Sequence, residues 1–385
     1  MLEHAKARLR ELQDYMQDAG INVALLTDES TIAYYAGFWG YLSVEFGRPT
    51  FLIVSADGDP IVVTPLMESE MVTAMTWVPD VRTWEDSGPN HWDTVLAGIF
   101  GTLPRRLGVE KTVLPGLVRN WLESVSDSVE LTDVSPLIAK MRTVKSPFEI
   151  GIMKQAGMVA AAMMSAAQES LAEGVPEYEA ALAVINAGTR AGADFLTAKG
   201  WEQFVSPMIH NLQIMQSGMD TSMVHRRASV KKLQAGDPVY FCFCNMAQFK
   251  QYKLGFDRMF NISHVSTQAA DVQQAAIDAQ QAALGVVRPG VTAEAVAEAA
   301  NEVYRDKGYA PSYRTGRSIG MAYLETPELK SGDSTVLQAG MTFAVDGGIS
   351  VDGQYGGRIG DSIVVTADGF EYLTEYPREV VVIDR

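Results

Sequence analysis

The side chains able to exchange protons near neutral pH are few. Five histidines fall at positions 4, 91, 210, 225 and 264, and histidine is the residue whose ordinary pKa lies in that range. Neither H-E-x-x-H nor C-x-x-C occurs, so no standard zinc spacing is present and a metal site would have to be assembled from carboxylates. The two cysteines are Cys242 and Cys244. Residues two apart on a strand point the same way and are poorly placed for a disulfide, so this pair reads as two small buried thiols, with a catalytic nucleophile as the alternative. Arg314, Arg317 and Arg358 stand beside glycine-rich segments of an acidic chain. Each could bind an anionic group or pair with a surface carboxylate.

The composition sets bounds on what these residues can do. A formal net charge of -16 and the lack of a basic run argue against nucleic acid as a partner, because that affinity comes from Lys and Arg on phosphates. The start Met1-Leu2-Glu3-His4-Ala5-Lys6-Ala7-Arg8 is charged and amphipathic, unlike a signal peptide. The apolar runs fall short of the roughly 20 residues that span a bilayer, so a cytoplasmic protein without a membrane partner is expected. With 385 residues, 47% hydrophobic and 20% charged, the chain fits two ordinary folded domains.

Patterning supplies the elements. Leu9, Leu12, Tyr15 and Met16 recur at helical spacing before Gly20, and the runs Val23–Thr27, Phe51–Val54, Ile61–Thr64, Leu107–Val109 and Val129–Leu131 read as strands. The N-terminal part is therefore alternating α/β. At Ser146-Pro147-Phe148-Glu149 a capping box opens a long helix to about Glu173. A second helix is expected from Pro176 towards Gly188, and a further pair between Gln268 and Gly308, broken at Arg288-Pro289-Gly290. Strands are expected over Pro238–Phe243, Leu254–Ile262, Gly340–Val345 and Ile359–Thr366, which makes the second part α+β.

In the C-terminal half, Gly236-Asp237, Tyr252 to Arg258 to Phe260, Gly316 to Gly320, Ala339-Gly340-Met341 and Gly357-Arg358-Ile359 follow in order. Together with the linker Met141-Arg142-Thr143-Val144-Lys145-Ser146 and Glu149-Ile150, this ordered set resembles the creatinase, prolidase and aminopeptidase P superfamily along nearly the whole chain. The resemblance implies a smaller α/β creatinase-type domain over 1–145 and a pita-bread catalytic domain over 146–385. Peptidases of that family hold two metal ions with two Asp, one His and two Glu. The matching positions here are Cys242, Gly255, Arg317, Asp346 and Gly360. Arginine does not deprotonate to ligate a metal and glycine offers no side chain, so the resemblance narrows to the metal-free, creatinase-like branch, with no cofactor.

That branch hydrolyses a C–N bond of a guanidino compound. The spacing from Gln216-Ser217-Gly218 to Gly236-Asp237 places His225 where creatinase has its catalytic histidine. Asp257 and Asp346 match two glutamates that hold the cationic substrate there, and Arg258, adjacent to Asp257 on a strand, faces the other way. Two carboxylates on one pocket imply a cation between them. Phe46-Gly47-Arg48-Pro49 is identical to a segment that reaches the partner subunit's site in creatinase, which implies a homodimer with Arg48 on the substrate carboxylate. Phe46, Arg48, Arg317, Arg358 and Cys242 are thus the expected contacts to a small zwitterionic substrate. Leu324 stands where the relatives carry a histidine. An ectoine-type cyclic amidine hydrolase, a dimethylsulfoniopropionate-type lyase, a divergent Xaa-Pro metallopeptidase using Asp346, Cys242 and His225, and a non-catalytic binding protein stay open beside the creatine-like hydrolase.

Overall fold

The structure is a computed structural model that describes residues 2–40, 42–125, 129–200, 202–209 and 214–384; of Val44 and Glu45 only the backbone is described. His210 lies outside the described residues. The chain divides into two compact units, Met1–Met141 and Arg142–Arg385.

In the first unit α1 (Leu2–Asp18), β1 (Val23–Leu26), α2 (Glu29–Ala36) and α3 (Leu42–Phe46) precede β2 (Phe51–Ser55) and β3 (Ile61–Pro65). There follow α4 (Ser69–Met75), β4 (Asp80–Trp84), α5 (Trp92–Phe100), β5 (Arg106–Val109), α6 (Gly116–Val125), β6 (Glu130–Asp133) and α7 (Ser135–Thr143), the last crossing into the second unit. The six strands form one mixed sheet in the order β4-β3-β2-β1-β5-β6, antiparallel across β3, β2 and β1 and parallel elsewhere. Leu25, Phe51, Ile53, Val63, Trp84, Trp92, Leu96 and Leu107 pack its core.

The second unit opens with α8 (Pro147–Ser170), whose capping box joins Ser146 and Glu149 in both directions. Long and apolar enough to cross a membrane by composition alone, α8 instead buries Ile152, Met153, Ala156, Val159, Ala160, Met163, Met164 and Ala167 in this unit. Its neighbour α9 (Glu177–Ala198) runs ten residues past Gly188, the expected stop. A Cβ at 188 would lie 2.7 Å from Met163 Cγ and 2.8 Å from Ile209 Cγ1, so this glycine serves close packing inside a helix and does not end it.

After these come β7 (Ile214–Ser217), β8 (Pro238–Cys242), β9 (Gln248–Phe249), β10 (Tyr252–Lys253), β11 (Asp257–Ile262), α10 (Thr267–Val286), α11 (Ala293–Asp306), β12 (Gly316–Ser318), β13 (Glu325–Leu329), β14 (Thr342–Val351), β15 (Tyr355–Val365), β16 (Phe370–Tyr372) and β17 (Val381–Ile383). A large sheet runs β13-β12-β14-β15-β11-β8-β7, with β16 added on β15 and β17 on β11. The expected strands Gly340–Val345 and Ile359–Thr366 are the halves, away from the turn, of a longer hairpin, and at Gly347 α10 lies on the sheet so closely that a Cβ would run into the Ala276 carbonyl. The fold is the two-part architecture expected, a smaller α/β unit followed by the larger α+β unit.

Candidate active site

One row of cross-strand partners brings several of the candidate residues together. Register pairs Ile214 with Cys242, Cys242 with Asp257, Asp257 with Gly360, and Gly360 with Asp346, so these residues line up across β7, β8, β11, β15 and β14. Opposite partners share a face. Arg317 on β12 joins the same end of the sheet through its pairing with Ala344, two residues before Asp346.

Arg258 leaves this face, as strand alternation requires. Its guanidinium donates to Asp361 Oδ1 at 2.8 Å and to the backbone oxygens of Asp257, Gly360, Tyr376 and Pro377, and so braces β11 against β15 from behind.

On the working face the carboxylate of Asp346 is paired with the Arg317 guanidinium, which is buried. The second arm of Arg317 donates to Cys244 Sγ at 3.3 Å, and its Cζ lies 4.5 Å from the centroid of the Tyr323 ring. Two glycines make room. A Cβ at 255 would come within 2.7 Å of Ala344 Cβ and 3.1 Å of Arg317 Nη2, and one at 360 within 2.8 Å of Asp346 Oδ1 and 3.0 Å of Asp257 Cγ. The spaces left by the side chains missing at 255 and 360 are thus filled by the guanidinium and by the two carboxylates.

Asp257 accepts a hydrogen bond from Tyr240 Oη at 2.9 Å and one from the Cys244 thiol at 3.8 Å. Burial, and then the charge of Asp346, push its carboxyl up to about 6, against the lowering pull of Cys242, Arg317 and Tyr240. Burial likewise holds the Tyr240 hydroxyl and Cys242 thiol well above their ordinary ranges. At Cys244 a hydrogen bond with Cys242 lowers the pKa, but burial and the charge on Asp257 outweigh it and leave the thiol raised. These thiols stay protonated at neutral pH, unlike the thiolate of a reactive cysteine.

Asp257, Asp346, Arg317 and Cys242 therefore come together. Arg358 stands next to them, 5.6 Å over the Tyr240 ring, donating to Ser350 Oγ and the Met223 carbonyl oxygen. His225 is exposed, two residues beyond Met223, and its imidazole has no hydrogen-bond partner among the described residues. The structure also corrects one expectation: the cation between the two carboxylates is not left to the substrate, because Arg317 supplies it to Asp346. In the first unit the Arg48 fork is occupied by Asp86, at 2.8 and 2.7 Å, and Phe46 is exposed at the end of α3. Sequence reasoning missed Tyr240, Cys244 and Tyr323 as members of the site. Tyr240 lies two residues before Cys242 on β8, so period-two alternation was the available signal.

Comparison with known proteins settles the family. The model of metallopeptidase family M24 matches residues 151–367, and that of the creatinase/prolidase N-terminal domain matches 8–144. The chain belongs to metallopeptidase family M24. It is similar to an agropine synthesis cyclase of Rhizobium rhizogenes, 28% identical over 384 residues and 96% of each chain. It is also similar to a Xaa-Pro dipeptidase of Lactobacillus delbrueckii subsp. lactis, 28% over 380 residues, covering 97% and 98%. A creatinase of Bacillus sp. is 26% identical over 396 residues, covering 97% and 91%. Among solved structures, dipeptidase PepE from Mycobacterium ulcerans superimposes with a TM-score of 0.80 at 27% identity over 99% and 98% of the two chains.

The residues of this M24 chain do not fit the family's carboxylate-held pair of metals. Asp346 is the one carboxylate among the five matching positions, and the Arg317 guanidinium stands against it. Cys242, Cys244 and Asp257 do bring three ligand atoms within 4.8 Å of one another. That triad differs from the Asp346, Cys242 and His225 set considered from the sequence, and the Arg317 cation donating to Cys244 opposes a second cation there.

Proposed function

We propose that this M24 chain is a metal-independent hydrolase of a C–N bond in a small zwitterionic nitrogen compound, a class that includes both creatine-like guanidino acids and amino-acid carboxamides. The observation that carries the reading is the Arg317–Asp346 ion pair beside Asp257: a resident cation at a former metal-ligand position, next to a carboxyl poised at about 6. Asp257 has the attributes of a proton carrier. Ionised at neutral pH, it can take a proton from an attacking water and return it to the leaving nitrogen. Tyr240 and Cys244 fix its orientation. The Nε–H groups of Arg317 and Arg358, buried and without hydrogen-bond partners, are donors for charge that develops on the reacting group. His225, exposed on its segment, serves as a second proton carrier only if substrate reaches it.

A second reading is ring closure, favoured by the similarity to a protein named as a cyclase. The same base then activates a nucleophile of the substrate itself in place of water. Peptide-bond hydrolysis is the third, favoured by the relatives named as dipeptidases.

The test is turnover by chelator-treated enzyme on guanidino acids, cyclic amidines, carboxamides and X-Pro dipeptides, with products identified by mass spectrometry. Gain of water with loss of urea, ammonia or an amine supports the proposal. A cyclic product moves the assignment to the second reading, and turnover of X-Pro dipeptides only with added manganese contradicts it.

A further inference from the structure

The charges that face the site are balanced before any ligand arrives. Asp257 and Asp346 stand against Arg317 and Arg358, and Arg358 is bonded to a hydroxyl and a carbonyl oxygen, with no carboxylate paired to it among the described residues. A cationic group entering here would meet a resident guanidinium and no surplus negative charge.

What the site lacks is hydrogen-bond partners of both senses. Among the described residues, Asp346 Oδ1 is a buried acceptor without a donor, and Tyr323 Oη and Arg317 Nε are buried donors without an acceptor. Arg317 itself is 3% exposed. They belong to neighbouring groups: the Arg317 guanidinium is paired with the Asp346 carboxylate through Nη1 and Oδ2 and stacks on the Tyr323 ring, and Asp346 Oδ1 lies on the side of Gly360, where Asp257 also stands. Buried polar atoms left unpaired are costly, and a ligand that pairs them recovers that cost. A guanidinium has donors but no acceptor for the Arg317 Nε–H, and a carboxylate has no donor for Asp346 Oδ1. A carboxamide has an N–H for one and a carbonyl oxygen for the other, with no charge.

We propose that the group bound at the Arg317–Asp346 pair is a neutral carboxamide, so that the compound hydrolysed is a small amide and not a guanidino acid. The inference rests on the reading that the chain hydrolyses a C–N bond without metal, and it names the bond. Water adds its oxygen to the amide carbon while one of its protons passes to the Asp257 carboxylate; the C–N bond breaks as that proton is handed to the leaving nitrogen, releasing ammonia and a carboxylic acid, whose remaining proton then passes to ammonia to give a carboxylate and ammonium.

The test uses the whole protein in chelator and short-chain acids that share one backbone and differ only in the end group: carboxamide, guanidinium or carboxylate. Calorimetric titration of the unaltered protein is expected to give at least a tenfold tighter Kd for the carboxamide, with ammonia as the product of its turnover. In Arg317→Gln the preference is expected to reverse in favour of the guanidinium, since two carboxylates then face Arg358 alone. Arg317→Lys, which keeps the charge, is expected to retain the carboxamide preference and covers the case in which the glutamine variant does not fold. Equal or tighter binding of the guanidinium acid by the unaltered protein, release of urea from it, or binding of none of the three acids overturns the inference. Urea release in chelator would still leave the metal-independent reading standing, whereas a requirement for added metal would remove that reading itself.

Discussion

The Arg317 guanidinium rests against the Asp346 carboxylate in a space that exists because residue 255 is glycine, and the two positions depend on each other. Among the five positions that the family resemblance implies for metal ligands, 317 carries a cation, 255 has no side chain to meet it, and 346 is the carboxylate with which it pairs.

That coupling makes Gly255→Ala a sharp perturbation. The added Cβ would lie 2.7 Å from Ala344 Cβ and 3.1 Å from Arg317 Nη2. Overpacking of this size costs about 1–3 kcal/mol, read as a lower midpoint in urea. Unchanged stability together with unchanged ligand affinity would mean that the guanidinium does not need this space.

Breaking the pair from the other side is expected to cost more. Arg317→Ala leaves the carboxylates unbalanced and opens a cavity, with a loss of about 3 kcal/mol at neutral pH, measured by chemical denaturation. The double variant Arg317→Ala with Asp346→Ala is expected to be less destabilised than the sum of the two single changes, because each single change already removes the pair.

Asp257 couples stability to pH in the direction opposite to most carboxylates. Its folded pKa of about 6 lies above the ordinary aspartate value of 3.8, so between those values the native state binds more protons than the unfolded state and stability falls as pH rises. Above the window the ionised, buried group costs about 3 kcal/mol. Asp257→Asn is therefore expected to be more stable than the unaltered protein at about pH 8 and not at about pH 4. The same change is expected to lower kcat by about a hundredfold or more, and the unaltered enzyme's rate should rise with pH through about 6. A rate independent of pH in that range would exclude Asp257 as the proton carrier.

Glu325 has the opposite sign. Burial raises its pKa, but Arg142 and Lys145, at 2.6 and 2.9 Å, overcome that and hold it at about 2. The stability it contributes is present above the ordinary glutamate value of 4.5 and is lost as pH falls towards 2, amounting to about 3 kcal/mol. Glu325→Gln should accordingly reduce the dependence of stability on pH below 4.5 and lower stability at neutral pH, both checked by urea melts across that range.

Much of the site was legible in the sequence because it lies on strands. The ordered glycine and aspartate motifs locate β8, β11, β14 and β15, and period-two alternation turns Asp257 towards one face and Arg258 towards the other. What alternation leaves out is contact between side chains from strands far apart in the chain. Arg317 and Asp346 are 29 positions apart, and nothing in their spacing says that they pair with each other and not with a ligand. Gly188 misled for a related reason: it looks like an interruption locally, but it marks a place where another element comes close, which only the packed structure displays. His225 was placed by spacing alone, on a segment that the structure leaves exposed.

The most direct test of the central claim is metal content and turnover measured on the same sample: elemental analysis of the purified protein before and after chelation, with the rate on a competent substrate followed throughout. The account expects less than about one tenth of a metal ion per chain and a rate unchanged by chelator or by added manganese or zinc. One or two tightly held ions per chain, with activity lost on chelation and restored by metal, would contradict it.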